Sequence, residues 1–196
     1  MADISVTTAR KLHSADPTEA AAAVAPAAQG GKEHGTKEPC WDLIELLFFA
    51  YRDFVSDPDE VLAKLGFGRA HHRVLHFVNR NPGIKVADLL DILKITKQSL
   101  GRVLKQLIDE GYVVQREGAQ DRRQRLLHVS SAGEALALKL AGLQTERVTR
   151  VLNELGPGGR DAARRFLAGM IDDNDRDQVL RLIANADRAQ AHGRGS

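Results

Sequence analysis

The strongest constraint on this chain is a change of period between residues 97 and 129. From Lys97 to Glu110 the apolar residues Leu100, Val103, Leu104, Leu107 and Ile108 recur at helical spacing. Gly111 then supplies a helix stop. Two short runs of strand character come next, centred on Val113-Val114 and Leu126-Leu127, on either side of a polar tip. At 100° per residue the five apolar side chains share one side of the helix. Gln98, Arg102, Lys105 and Asp109 stand opposite, with Lys97 and Ser99 flanking them at the N-terminal end. Such a segment docks its stripe on an upstream element and leaves a largely cationic side outward.

The upstream elements are helical. Arg69 to Asn79 turns Val74, Leu75 and Val78 inward, and Asn81-Pro82-Gly83 breaks the chain. Val86 to Leu93 reads as a short helix burying Val86, Leu89, Leu90 and Leu93. Lys94-Ile95-Thr96 is a tight connection, with Thr96 as the next N-cap. Earlier, Ile44, Leu47, Phe48, Tyr51 and Val55 fall at helical spacing from near Pro39, and Trp41 and Phe54 widen the stripe. Asp57-Pro58-Asp59 reads as a turn, with Asp57 capping a short helix that starts at Pro58, runs to Leu65 and stops at Gly66. Downstream, Ser130 or Ser131 starts a long helix containing Leu136, Leu140, Leu143 and Val151, and residues 156–159 break it. One or two closing helices carry Phe166, Leu167, Met170 and Ile171, then Val179, Leu180 and Ile183. The Asp-rich run 172–177 lacks EF-hand spacing and is expected to be a solvated turn. The implied fold class is mainly α with a small two-stranded β-wing: a winged helix-turn-helix plus a helical region.

Composition adds limits. At 196 residues and 43% hydrophobic, the chain can bury one ordinary core. Residues 1–37 hold almost no large apolar side chains and are expected to be disordered. The net charge is only +2, so the chain is no polycation. Between Lys94 and Arg125, however, eight basic residues face four acidic ones, a local +4 that leaves −2 for the rest. Arg and Lys can donate to guanine O6 and N7, and Gln98 can pair with adenine. Ser99 and the helix N-terminus can reach phosphates. A hairpin tip bearing Arg122, Arg123 and Arg125 suits a narrow minor groove.

Other classes recede. Cys40 is the single cysteine, which leaves no disulfide framework or Cys-rich zinc site and reads as a free thiol. No apolar run approaches the roughly 18 residues that span a bilayer. No signal peptide is read, so no membrane association is expected and a cytoplasmic location is. There is no phosphate-binding glycine loop, nucleophile elbow or metalloprotease motif. No cofactor and no enzymatic activity are expected. His72 and His76 lie four apart, a spacing zinc can use, yet no cysteine or acidic cluster stands near them in sequence. With His71, they are expected as surface or interface histidines. A winged helix used only as a protein-interaction module is the alternative, and the local +4 argues against it.

The runs VLHFVNRNPGIKVADLLDILKITKQSLGRVLKQLIDEGYVVQRE and DRRQRLLHVSSAG resemble the MarR family of bacterial transcriptional regulators. The second matches the family's wing pattern of Asp, any residue, Arg, a strand and a Ser/Thr-x-x-Gly helix start. Within the family, GFGRAHHR and ITKQSL look most like the PetP-type members. The resemblance implies a MarR-like domain over 38–190. Residues 38–66 and 131–188 would be dimerisation helices, 69–130 the winged helix-turn-helix, and 189–196 a flexible tail. It implies a homodimer on palindromic double-stranded DNA. Lys97, Gln98, Ser99 and Arg102 match the base-reading positions, Arg123 the wing-tip arginine, and Asp121 the aspartate that holds the wing. Thr96, Lys105, Arg116, Arg122 and Arg125 complete the expected DNA-binding set. Many members also bind a small phenolic or lipophilic effector. Trp41, Phe48, His72 and His76 are the candidate effector-pocket residues here.

Overall fold

The computed structural model describes residues 38–118 and 124–193. The expected wing-tip residues Asp121, Arg122 and Arg123 lie outside the described residues, as does the extension 1–37. The chain divides after Cys40, which is exposed, and the second unit begins at Trp41. The elements of this second unit run α1 (Trp41–Ala63), α2 (Arg69–Arg80), β1 (Ile84–Lys85), α3 (Val86–Leu93), α4 (Lys97–Asp109), β2 (Val113–Glu117), β3 (Arg125–Val129), α5 (Ser131–Leu155), α6 (Gly159–Gly169) and α7 (Asp173–Gly193).

The core is the product of the helical stripes. Val74, Leu75 and Val78 of α2, Leu89 and Leu93 of α3, and Leu100, Val103, Leu104 and Leu107 of α4 form one buried cluster with Leu136 and Leu140 of α5. Each such side chain contributes about 1.5–3 kcal/mol on burial. Val113 and Leu127 bring the two wing strands into the same cluster. The end of α4 is thereby fastened to the start of the hairpin. Gly111, at φ +76, makes the turn between them.

The sheet has three strands, in the order β1-β3-β2, rather than the two expected. Ile84 pairs with Leu127 and Lys85 with Leu126, so β3 is central and antiparallel to both neighbours. Two residues are too few to display a period of two, which is why β1 carries no sequence signal. It forms because Gly83, at φ +84, donates its N–H to Leu127 O at 2.8 Å and lays the next two residues along the open edge of β3.

The turn expected at Asp57-Pro58-Asp59 is absent. α1 continues through Pro58 as one helix of 23 residues. Proline inside a helix costs about 3 kcal/mol or more, because it removes an N–H and crowds the carbonyl four residues back. Contacts with α5 offset this. The Pro58 ring is fully buried. Gln144 Nε2 donates to Phe54 O, the carbonyl Pro58 cannot satisfy, at 3.5 Å. Arg147 pairs with Asp57 at 2.9 Å. The solvated turn expected at 172–177 is also corrected: α7 begins at Asp173, inside that run. Asp172 O accepts from the N–H groups of Asp175 and Arg176, and acidic side chains suit a helix N-terminus.

Candidate nucleic-acid interface

α3 and α4 meet across a three-residue turn that local chemistry holds tightly. Lys94 ends α3 in the left-handed region, at φ 50. Its N–H donates to Leu90 O at 2.9 Å. From α2, Arg73 Nη2 donates to Leu93 O at 3.0 Å, supplying a donor to a helix end that lacks one. Thr96 then caps α4: its Oγ1 accepts from the Ser99 N–H at 3.1 Å and donates to Ser99 Oγ at 2.9 Å.

With Leu100, Val103, Leu104 and Leu107 buried, α4 has no freedom to turn its polar side inward. Thr96 at the cap and Lys97, Gln98, Ser99, Arg102 and Lys105 on α4 itself are all exposed. Arg116 on β2 and Arg125 on β3 are exposed as well. Gly101 has open space around its α-carbon, so a ligand can approach the helix closely there.

The cations differ in how far they are already compensated. Lys105 pairs with Asp109 one turn on, at 2.5 Å. Arg125 pairs with Glu117, its partner in strand register, at 3.1 Å. Lys94 reaches Asp175 of α7 at 3.5 Å. Among the described residues, no ion pair holds Lys97, Arg102 or Arg116. The positive field of Arg116, after desolvation, also pushes the pKa of His128 down.

The candidate effector residues are not brought together. Trp41 and Phe48 are 63% and 69% exposed on the first turns of α1. His76 instead borders a cavity of about 760 Å³ between α2, α5 and α7, with Phe77, Arg80, Leu138, Glu146 and Ile183. Burial, then the charges of His72 and Arg80, lower the pKa of His76 to about 4. His72 is half-buried, and desolvation lowers its pKa too. Among the described residues no group of three or more His, Cys, Asp or Glu is arranged to hold a metal ion.

Sequence reading missed the pairing of His71 with Gln106. The His71 ring accepts the Gly68 N–H on Nδ1 at 3.1 Å and meets Gln106 Oε1 through Nε2 at 2.8 Å. His71 occupies the third position of α2, where a capping box places Glu or Gln; a search for those two residue types passes over it.

A turn-linked helix pair leading into a strand pair defines a winged helix-turn-helix protein, with the second helix of the pair facing outward. The comparisons agree. The MarR family model matches residues 65–124. The HTH-type transcriptional regulator PetP of Rhodobacter capsulatus is 45% identical over 129 residues, covering 66% of this chain and 78% of that protein. FabT of Streptococcus pneumoniae, solved in complex with DNA, superposes with a TM-score of 0.59 at 14% identity, over 66% of this chain and 93% of that one. NadR, solved with 4-hydroxyphenylacetate, gives 0.57 at 20% identity, over 70% and 96%. At such identities the two structures speak for the fold alone. The chain belongs to the MarR family. Its named relatives are transcriptional regulators rather than enzymes.

Proposed function

We propose that this protein is a homodimeric, sequence-specific DNA-binding regulator that reads a palindromic operator. α4 enters the major groove, with Lys97, Gln98, Ser99 and Arg102 at base edges and nearby phosphates. The hairpin lies against the minor groove, with Arg123 inserted and Arg122 and Arg125 on phosphate. Asp121 holds the hairpin in place, and Thr96, Lys105 and Arg116 complete the surface. The observation that carries the reading is the exposed polar side of α4, whose Lys97 and Arg102 have no ion pair among the described residues. That FabT was crystallised with DNA supports the same reading for this fold.

The dimer is supported by α1. Every residue from Trp41 to Arg52 is exposed, including eight large apolar ones. A helix half so apolar needs a covering surface. A two-fold axis would then set two half-sites roughly one helical turn apart. The cavity bordered by His76 supports a small-molecule effector, as does the ligand bound by NadR. No helix among the described residues is long and apolar enough to cross a membrane, and the proposed site of action is the cytoplasm.

Selection of bound sequences from random duplex DNA tests the proposal. An enriched inverted repeat, bound with steep salt dependence, is the expected result. Weak binding with no enriched sequence and a flat salt response would favour the protein-interaction module instead. Arg123→Ala is expected to weaken operator binding by about 1–3 kcal/mol. Gln98→Ala is expected to alter sequence preference more than general duplex affinity.

A further inference from the structure

We infer that His71 is a positioning residue for DNA reading, setting how α4 presents its polar side; this rests on α4 being the DNA-contact helix. The inference starts from proton placement. Nδ1 of His71 accepts the Gly68 N–H at 3.1 Å, so it carries no proton, and the neutral ring must carry its proton on Nε2. That proton points at Gln106 Oε1, 2.8 Å away on α4. The Gln106 amide nitrogen then donates to Gly66 O at 3.4 Å. One run of hydrogen bonds therefore leaves the start of α2, crosses to α4 and returns to the chain two residues before it began.

The ring is also fixed from its face. His71 stacks on Phe67, with centroids 4.8 Å apart and planes at 15°. Phe67 is buried and meets Tyr112 edge-on at 5.2 Å. Tyr112 joins α4 to the wing, so Phe67 and His71 touch both the flank of α4 and its exit. The buried stripe keeps the polar side of α4 out of the core, but apolar packing is weakly directional and by itself still allows a small roll about the helix axis. Directional hydrogen bonds to Gln106 remove that freedom. Gln106 sits one turn beyond Arg102 on the wheel, so a roll there moves the base-reading side chains directly. Reading bases tolerates far less misplacement than pairing with phosphates does.

The test compares the full chain with His71→Ala, His71→Gln, Gln106→Ala and the His71→Ala/Gln106→Ala double variant. Each is titrated with a duplex selected from random DNA and with an unselected duplex, and each is melted. His71→Ala is expected to lose on the order of tenfold on the selected duplex. It is expected to lose much less on the unselected one, because no charge has changed. His71→Gln is expected to recover most of the loss, since its amide can accept from Gly68 and donate to Gln106. The double variant is expected to be no weaker than His71→Ala alone. Equal losses on both duplexes, a failed rescue by Gln, or additive losses in the double variant would overturn the inference. Gln106→Ala, a change at a half-exposed site, keeps the test decisive if His71→Ala does not fold. A wild type that prefers no sequence sinks the DNA reading itself. A wild type with a clear preference that His71→Ala leaves intact sinks only this inference.

Discussion

Gly133 of α5 lies so close to Tyr112 that a Cβ on it would fall 2.0 Å from the Tyr112 carbonyl oxygen. The neighbouring Ser130 completes the join. Its Oγ donates to Gly111 O at 2.6 Å and accepts the Gly133 N–H at 3.0 Å, and its own N–H reaches Tyr112 O at 3.0 Å. The start of α5 is thus set directly on the link between α4 and the wing. Backbone meets backbone there, so neither side can yield by changing rotamer. Gly133→Ala is expected to destabilise the fold by about 1–3 kcal/mol. Gly101→Ala is the internal control, since nothing lies within 4 Å of that position in α4. It is expected to stabilise by roughly 0.5–1 kcal/mol. Urea midpoints of the two variants should move in opposite directions; a shared direction contradicts the packing described.

The compensation pattern on α4 makes a second pair of opposed expectations. Arg102 has no ion pair among the described residues, and Arg102→Ala is expected to weaken operator binding by about 1–3 kcal/mol. Lys105 is held by Asp109 at 2.5 Å. Asp109→Asn releases it and removes a carboxylate from the face proposed to meet the phosphates. Its duplex affinity should rise, with a salt slope steeper by up to about one unit. Fluorescence anisotropy across a range of salt concentrations reads both. An Asp109→Asn variant that binds more weakly would show that the carboxylate orients Lys105 rather than restraining it.

How much of the molecule is legible in its sequence depends on how local each cause is. The boundaries of α2, α3 and α4 rest on short-range chemistry: the Asn81-Pro82-Gly83 breaker, the Thr96 cap and the Gly111 stop. The outward side of α4 is legible for the same reason, because a helical wheel uses one element only. Pro58 misleads because the groups that offset it, Gln144 and Arg147, lie about ninety residues away. β1 exists only as an edge to β3. Asp172 to Asp177 resembles a turn by composition, yet Arg176 reaches back to Ala168 O and Ile171 O, both at 2.9 Å, and anchors a helix start there. His71 shows the same limit within the site: its cap on Gly68 is local, but Gln106 is thirty-five residues on.

His72 and His76 of α2 give the fold a pH dependence with a definite sign. His76 in the folded chain binds a proton only near pH 4, while its ordinary value is 6.5. Between those limits the unfolded chain binds more protons, so stability is full above about pH 6.5 and falls as pH drops towards about 4. The loss attributable to His76 is at most about 3 kcal/mol. His72 is shifted the same way and adds to it. Urea melts between pH 7 and 4 measure the slope. His76→Leu is expected to flatten it relative to wild type; an unchanged slope would place the acid sensitivity elsewhere.

Phe48 offers the sharpest access to the proposed dimer. It is 69% exposed on a half-helix where Trp41, Leu46, Phe49 and Tyr51 are also more than half exposed and Leu43, Ile44 and Leu47 somewhat less so. Burying a phenylalanine contributes about 1.5–3 kcal/mol. In a two-fold dimer the same position occurs twice. Phe48→Asp removes that contribution from both copies and forces two carboxylates either to stay in water, and so keep the helices apart, or to be desolvated. Dimerisation is expected to weaken by about 3–6 kcal/mol, two to four decades in dissociation constant. Because an exposed position is changed, the melting of the core around Leu75, Leu89 and Leu107 should stay close to that of the isolated protomer. Sedimentation equilibrium should find a monomer where wild type is a dimer. DNA titrations should then show half-site affinity with the spacing requirement lost. A variant that still sediments as a dimer would move the contact off α1, and the exposed Val148, Val151, Leu155, Phe166 and Leu167 of α5 and α6 would be the next surface to charge.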